Sequence, residues 1–291
     1  MNKMHNTPAG RVFDVFNHVL LVVIALVTFL PFVYVVAGSF ATEAELSRRA
    51  FFLIPETFSL DAYSYIFSTS TFIRSIGVSV FVTVAGTLVS LALTLTMAYP
   101  LSRKKLLGRN VFLNLIIFSM VFTGGMIPTY IVVRSLGLLD SLWALILPMA
   151  INPFYLIIVK TFFQHLPEEL EEAAKIDGCT EIGIFWRIVL PLSKPVIATF
   201  ALFYAVFYWN DFFNALLYIS DSSKWPVQLL LQQLMMIANV DFGEMDAMLA
   251  DPPEESLKLA VIVVATVPIL IFYPFLQKHF AKGVMLGSVK G

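Results

Sequence analysis

The sequence has little charge for its length. Of its 291 residues, 13% are Asp, Glu, Lys or Arg, about half the share found in an ordinary soluble domain. Hydrophobic residues make up 58%, so the chain has too little polar surface to cover a water-exposed fold of this size. This composition excludes an ordinary cytosolic enzyme, a disordered chain and a coiled coil.

The sequence lacks the residues that several kinds of functional site require. A single cysteine excludes a disulfide framework and a multi-cysteine metal site, and the four histidines show no ligand spacing. The net charge of −1 gives no electrostatic footprint for a nucleic-acid partner. The pattern G-x-x-x-x-G-K-[ST] is missing, so the chain cannot hold ATP phosphates by that device. We expect no metal and no cofactor bound by this chain.

Long uncharged runs are what the sequence does contain. An α-helix needs about 20 apolar residues to cross a bilayer, and the alternation typical of a membrane β-strand is absent. Six runs have that length, and the fifth is interrupted by Asp211. The sequence therefore predicts an all-α integral membrane protein with six transmembrane helices. The runs are Val19–Phe40 and the stretches from Arg74 to Arg103, Arg109 to Arg134, Asp140 to Lys160, Lys194 to Asp221 and Lys258 to Lys278.

Lysine and arginine predict the orientation of these spans. With the N-terminus inside, thirteen of them fall in cytoplasmic segments and six in outer segments, which favours cytoplasmic N- and C-termini. The predicted organisation is a cytoplasmic N-terminus (1–18), a six-helix domain (19–277) and a cytoplasmic tail (278–291). Two segments of that domain are larger than turns, namely an inner loop (160–194) and an outer loop (221–258).

The inner loop reads PEELEEAAKIDGCTEIGIFWRIVLP from Pro167 to Pro191. Pro167 suits the first turn of a helix, and the glutamates crowd the positive end of its dipole. Gly178 can adopt a positive φ and end that helix, and Thr180 can cap a second one. The loop therefore predicts two short helices joined by a sharp corner, with a small apolar stripe that suits a groove on a partner.

This loop also carries a family resemblance. Glu172-Ala173-Ala174 with the downstream Gly178, Ile188 and Leu190-Pro191 is similar to the EAA loop of binding-protein-dependent ABC importer permeases. The resemblance extends over nearly the whole chain, to carbohydrate permeases of the MalG type and their LplC/YtcP-like branch, and implies the ABC type I importer permease fold. The other stretches that carry it are Met97–Arg103, Gly124–Tyr130, Arg134–Leu138, Trp209–Phe212 and Gly287–Gly291.

The resemblance implies a function and a set of partners. Such a permease imports oligosaccharides, here fragments of a complex polysaccharide, across the bacterial plasma membrane. Its partners are a second homologous permease, two cytoplasmic ABC ATPase subunits that bind ATP and Mg²⁺, and an extracellular or periplasmic sugar-binding protein. The chain itself is then a transport subunit and not an enzyme. Two alternatives are a permease for a non-sugar solute and an integral-membrane glycosyl-transfer enzyme.

The EAA loop would dock the ATPase as a coupling helix. The small side chains of Ala173 and Ala174 would let the backbone approach the groove. Glu172 would pair with a basic group or cap its own helix. Gly178 would fix the corner. The docking residues that the resemblance implies are Glu172, Ala173, Ala174, Asp177 and Gly178.

Span five, with one residue of span four, supplies candidate sugar contacts. Aromatic faces stack on sugars while Asn and Asp bind hydroxyl groups, and a carboxylate within a span indicates function. The alternative is that the aromatic residues form an interfacial belt or core, and that Asn152 makes a bond between helices. The candidates are Tyr204, Tyr208, Trp209, Asn210, Asp211, Asn214 and Asn152.

The outer loop occupies the position of the family's loop that reaches into the binding protein. Here it is longer and strongly acidic, so a solvated acidic loop is the alternative. Its candidate contacts are Asn239, Asp241, Phe242, Glu244 and Asp246. In span three, Gly124, Gly125 and Pro128 either interrupt the helix or allow close helix packing.

Overall fold

The computed structural model describes residues 8–238 and 255–288, and these residues are almost entirely helical. Within them the β-structure is limited to one isolated bridge between Ala41 and Phe58. Short 3₁₀ turns occur at Leu147–Met149 and Ser222–Lys224, and a π-helical turn at Phe185–Val189. The α-helices are α1 (Pro8–Ser39), α2 (Glu43–Arg48), α3 (Asp61–Ser68), α4 (Ser70–Ser102), α5 (Arg109–Val121), α6 (Met126–Ser135), α7 (Trp143–Ile146), α8 (Pro153–Gln164), α9 (Glu168–Ile176), α10 (Glu181–Ile184), α11 (Leu190–Leu192), α12 (Lys194–Asn210), α13 (Phe213–Tyr218), α14 (Val227–Ala238) and α15 (Glu255–Ser288).

Two of these helices are each long and apolar enough to cross a membrane, α1 from Gly10 and α4 over its full length. Three further pairs qualify together, but each bends at a short break. The bends are 117° between α5 and α6, 54° between Trp143–Met149 and α8, and 80° between Glu181–Leu192 and α12. These elements coincide with the first five predicted spans, and the sixth falls in α15. The all-helical prediction is confirmed for the described residues, while the count of six stays a prediction.

The breaks in spans three and four have local causes. Helix α5 ends at Val121, and α6 begins after Gly125, whose φ is +81°. Glycine adopts that conformation at little cost because it has no Cβ, so the interruption expected as one alternative is present. Helix α8 begins after Asn152, whose side-chain oxygen accepts hydrogen bonds from the N–H groups of Phe154 (2.9 Å) and Tyr155 (3.3 Å). The side chain of Asn152 is therefore an N-cap, a role not predicted for it. Its backbone N–H donates to the Tyr204 hydroxyl of α12 at 3.2 Å, which is a bond between helices as the alternative expects.

One compact unit comprises the described parts of Met1–Thr69 and Leu234–Thr266. The most apolar stretch of α1 is not buried inside the chain at all, which suits a helix that faces lipid. After α1 the chain folds over a small buried cluster that contains Leu46 and Phe52. Glu45 holds this turn because its carboxylate accepts hydrogen bonds from the backbone N–H of Glu56 (2.9 Å).

The other unit comprises Ser70–Gln233 and the described part of Val267–Gly291. Its core lies where α4, α8 and α12 pack together. Gly86 permits a close approach of α4 to α12, since a Cβ at this position would lie 2.7 Å from the ring of Tyr208. The predicted outer loop also holds an unpredicted helix, α14, whose first N–H, at Val227, donates to the Ser79 hydroxyl at 2.8 Å.

Candidate functional site

The inner loop folds into two short helices with a corner at Gly178. The Gly178 N–H donates to the Lys175 carbonyl (3.0 Å), and the Cys179 N–H donates to the Ala174 carbonyl (2.9 Å). These are the two bonds of a Schellman motif, which needs a residue with positive φ at its end, and Gly178 has φ +81°. The Thr180 hydroxyl then caps α10 by accepting a bond from the Gly183 N–H (3.2 Å). The corner predicted from the sequence is therefore present.

The corner exposes an apolar face. Leu170 is 43% exposed, Ile176 is 87% exposed and Ile182, on α10, is 72% exposed. Ala173 lies exposed between the first two along α9, and exposed acidic side chains at Glu172 and Asp177 border them. An apolar patch with a charged border is typical of a surface that binds another protein.

Ala174 does not belong to that face. It is 7% exposed and packs in the hydrophobic core of its own chain. The prediction placed both alanines on the face that enters a groove, and for Ala174 this placement is wrong. Successive residues of an α-helix point about 100° apart, and in α9 this turn leaves Ala173 exposed while Ala174 faces the core.

A charged residue that was not among the predicted site residues is buried beside the corner. The ion pair there is made by Glu171, whose carboxylate lies 2.6 Å from the guanidinium group of Arg103, just after the end of α4. The Arg103 guanidinium carbon also lies 4.4 Å from the centre of the Tyr99 ring. Helix spacing gives a signal for the burial of Glu171 but not for its partner, because Glu171 is three residues before the buried Ala174 and so shares its face.

A second set of contacts ties α10 to the same place. The Tyr99 hydroxyl donates to Glu181 at 3.1 Å, and the other Glu181 oxygen lies 2.7 Å from the ammonium group of Lys175. Lys175 is in α9 and Glu181 in α10, so this ion pair bridges the corner. Both helices are thereby connected to the end of α4.

The aromatic candidates of span five are buried. Tyr204, Tyr208 and Trp209 are 1%, 2% and 6% exposed. The Tyr204 hydroxyl shares a 2.8 Å hydrogen bond with Thr94 of α4, and the Tyr208 hydroxyl shares one of the same length with Ser90. The expectation that these residues line a sugar path does not fit this conformation, because all three rings are packed and the two tyrosine hydroxyl groups are already bonded to α4.

The polar candidates of this segment lie where α12 ends. Asn210 is exposed, and its side-chain amide donates to the Val206 carbonyl at 2.8 Å. Asp211 is partly buried and accepts hydrogen bonds from the backbone N–H (3.2 Å) and the side-chain amide (2.9 Å) of Asn214. These three residues come together at the break before α13, whereas Asn152 caps α8.

A cavity of about 450 Å³ lies beside α6, lined by Gly124, Pro128, Val132 and Leu147 among others, and none of the candidate sugar contacts lines it. The candidates for binding-protein contact lie outside the described residues. They are Asn239, Asp241, Phe242, Glu244 and Asp246.

The chain resembles known proteins over nearly its whole length. It is 67% identical over 292 residues to protein LplC of Bacillus subtilis (strain 168), with 100% of this chain and 99% of the relative covered. It is 58% identical over 284 residues to the polygalacturonan/rhamnogalacturonan transport system permease protein YtcP of the same organism, with 97% and 99% covered.

A solved structure shows the same fold. It is the crystal structure of a bacterial ABC transporter involved in the import of the acidic polysaccharide alginate, one chain of which superposes with a TM-score of 0.87 at 33% identity. The match covers 94% of this chain and 98% of that chain. Residues 90–286 match the family model described as the binding-protein-dependent transport system inner membrane component. The chain therefore belongs to that family, as an inner-membrane subunit of an ABC transporter and not as an enzyme.

Proposed function

We propose that this chain is one of two permease subunits in an ATP-driven importer of oligosaccharides from a complex polysaccharide. One relative is named for polygalacturonan and rhamnogalacturonan transport, and the structural neighbour takes part in import of an acidic polysaccharide. Both match at least 94% of this chain. The substrate class that we propose is therefore an acidic, uronate-containing oligosaccharide.

The proposed assembly has this chain beside a homologous second permease, with two ABC ATPase subunits in the cytoplasm and a sugar-binding protein outside. ATP and Mg²⁺ would bind to the ATPase subunits.

The chain would cross the membrane six times with both termini inside, because thirteen lysines and arginines fall in inner segments against six in outer ones. Reporters inserted near Arg109 and after Gly291 should then report cytoplasm, and one near Ala250 should report the outside. An external signal at Arg109 contradicts this topology.

We propose that the corner of α9 and α10 docks the ATPase. The observation that carries this proposal is the exposed apolar face of Leu170, Ile176 and Ile182 on an otherwise charged helix pair. Lipid is a poor match for a surface with this many acidic neighbours, whereas a groove on a protein fits it. When ATP closes the ATPase dimer, the groove would shift the corner, and the corner would shift the spans attached to it.

The experiment that tests docking is Gly178→Asp, with Gly137→Asp as its matched control. Both glycines have positive φ (+81° and +68°), and a Cβ at either position would meet nothing within 4 Å. Each substitution therefore costs about the same backbone strain, roughly 1 kcal/mol, and adds the same charge. Gly178 is in the corner, whereas Gly137 follows α6.

The measurement is the amount of ATPase that co-purifies with each permease variant, normalised to the second permease. We expect Gly178→Asp to lose most of the ATPase and Gly137→Asp to retain it. Retention of normal ATPase by Gly178→Asp, in a complex that still contains both permeases, contradicts docking at this corner.

A further inference from the structure

Five side chains tie the corner to the end of α4, and we call this cluster the α4 clamp: Tyr99, Arg103, Glu171, Lys175 and Glu181. We propose that the α4 clamp transmits the movement of the corner into α4, which makes Arg103 and Glu171 positioning residues for the transport cycle. The proposal rests on the docking role proposed for the corner, and it adds the part of the chain that receives the movement.

The central ion pair of the clamp is largely shielded from water. The side chain of Glu171 is 9% exposed and that of Arg103 is 25% exposed, with 2.6 Å between their charged atoms. Removal of one partner from such a pair leaves a buried charge uncompensated, which is strongly unfavourable. Arg103 also lies over the Tyr99 ring at 4.4 Å, a contact that adds cation–π attraction. These two contacts attach the corner to the end of α4.

A neighbouring ion pair provides the contrast. Lys104 and Glu168 belong to the same two segments, but their charged atoms are 4.0 Å apart and their side chains are 83% and 73% exposed. Exposed pairs of this kind contribute little, because water screens them and long side chains lose entropy in forming them. Of the two links between α9 and the residues after α4, the buried Arg103–Glu171 pair is the one able to transmit force.

The covalent route from the corner to α12 is irregular. It passes through the π-helical turn Phe185–Val189 and then bends by 80° before α12. Such interruptions of helical hydrogen bonding are places where a helix bends. The clamp bypasses them by reaching α4 directly, and α4 is joined to α12 by the Thr94–Tyr204 and Ser90–Tyr208 bonds. Movement of the corner would then carry α4 and α12 together.

The test measures hydrogen–deuterium exchange in the purified complex of both permeases and the ATPase, with and without ATP plus vanadate. This readout needs no knowledge of the transported sugar. The quantity compared is the change on adding nucleotide in two peptides, one over 168–184 and one over 96–108. The variants are Arg103→Gln and Glu171→Gln, alone and together, with Lys104→Gln as the control that removes an adjacent exposed charge.

We expect nucleotide to change exchange in both peptides of the unmodified chain and of Lys104→Gln. In Arg103→Gln and Glu171→Gln the change over 168–184 should persist, while the change over 96–108 is largely lost because its link to the corner is removed. The double variant should lose no more than either single variant, because both remove the same contact. A merely structural role would alter exchange equally with and without nucleotide.

An unchanged nucleotide response over 96–108 in both single variants overturns the clamp while leaving docking intact. Absence of any nucleotide response over 168–184 in the unmodified complex overturns the docking proposal itself. If a single variant fails to assemble, the double variant of Arg103→Gln with Glu171→Gln decides, since it leaves neither charge unpaired in the buried site. We expect its response over 96–108 to be largely lost, and a full response overturns the clamp.

Discussion

The corner of α9 and α10 and the aromatic segment of α12 both carry predicted site residues, and the two regions differ in how far their apolar side chains are exposed. At the corner the apolar side chains of Ile176 and Ile182 are more than two thirds exposed. In α12 the rings of Tyr204 and Tyr208 are at most 2% exposed, with their hydroxyl groups bonded to α4. Exposed apolar groups beside charges favour a partner, whereas buried rings with satisfied hydroxyl groups favour helix packing.

The largest expected effect tests the buried side of this contrast. Trp209→Ala should destabilise the permease by about 3–5 kcal/mol, because it empties a packed site where the ring is 6% exposed. Phe207→Ala is the matched control on the same helix, since Phe207 is 40% exposed. The measurement is the thermal midpoint of the purified complex. A normal midpoint with lost transport would instead place Trp209 on the sugar path.

The next effect separates the two alanines of the corner. Ala174→Phe should overpack the core of the chain at a cost of about 1–3 kcal/mol, so less permease should assemble. Ala173→Phe adds the same group on the exposed face, so the permease pair should form normally but retain less ATPase. Quantifying both permeases and the ATPase after purification distinguishes the two outcomes. Identical behaviour of the two variants contradicts the assignment of Ala173 and Ala174 to different faces.

A smaller effect concerns the bonds between α4 and α12. Tyr204→Phe leaves Thr94 and the Asn152 N–H without their bonds to the tyrosine hydroxyl, at a cost of about 1 kcal/mol or somewhat more. Combined with Thr94→Val, which removes the other hydroxyl, the loss should be less than the sum of the two single losses. Unfolding midpoints of the four proteins give this comparison. Full additivity shows that the bond makes no contribution.

The smallest effect is a pH dependence in the segment after α1. The Glu56 N–H, with help from the Thr57 N–H and Arg49, holds the pKa of Glu45 below its ordinary value. The carboxylate therefore stabilises this turn above its ordinary pKa, and the contribution is lost as pH falls through the lowered pKa. Exchange of the 49–58 backbone amides, corrected for intrinsic rates, should rise over that acidic range. Glu45→Gln should remove the dependence, and a rise that persists in this variant contradicts the assignment.

Local features were predictable from the sequence and long-range features were not. The corner followed from Gly178 and Thr180 because positive φ and helix capping depend on neighbouring residues. The long apolar helices α1 and α4 followed from uncharged length. The Arg103–Glu171 pair lies 68 positions apart in the chain, and no local pattern states which cation a buried acid meets.

The sequence also did not predict the side of the helix on which each aromatic residue lies. Span five is apolar around its whole circumference, so its pattern does not say which ring faces α4 and which faces outward. The close approach at Gly86 settles this for Tyr208, since the ring occupies the space that a side chain would fill. Helix α14 has no charged residue, but its 12 residues are too few to cross a bilayer, so the length of its apolar run does not identify it as a span.

The central claim is that the corner touches the ATPase, and site-specific photo-cross-linking tests it most directly. A photoreactive phenylalanine analogue at Ile176, 87% exposed in the corner, is compared with one at Leu136, 66% exposed after α6. In the assembled complex, illumination should link position 176 to the ATPase subunit and should not link position 136 to it. If a complex that hydrolyses ATP gives no ATPase adduct at position 176, the claim is contradicted.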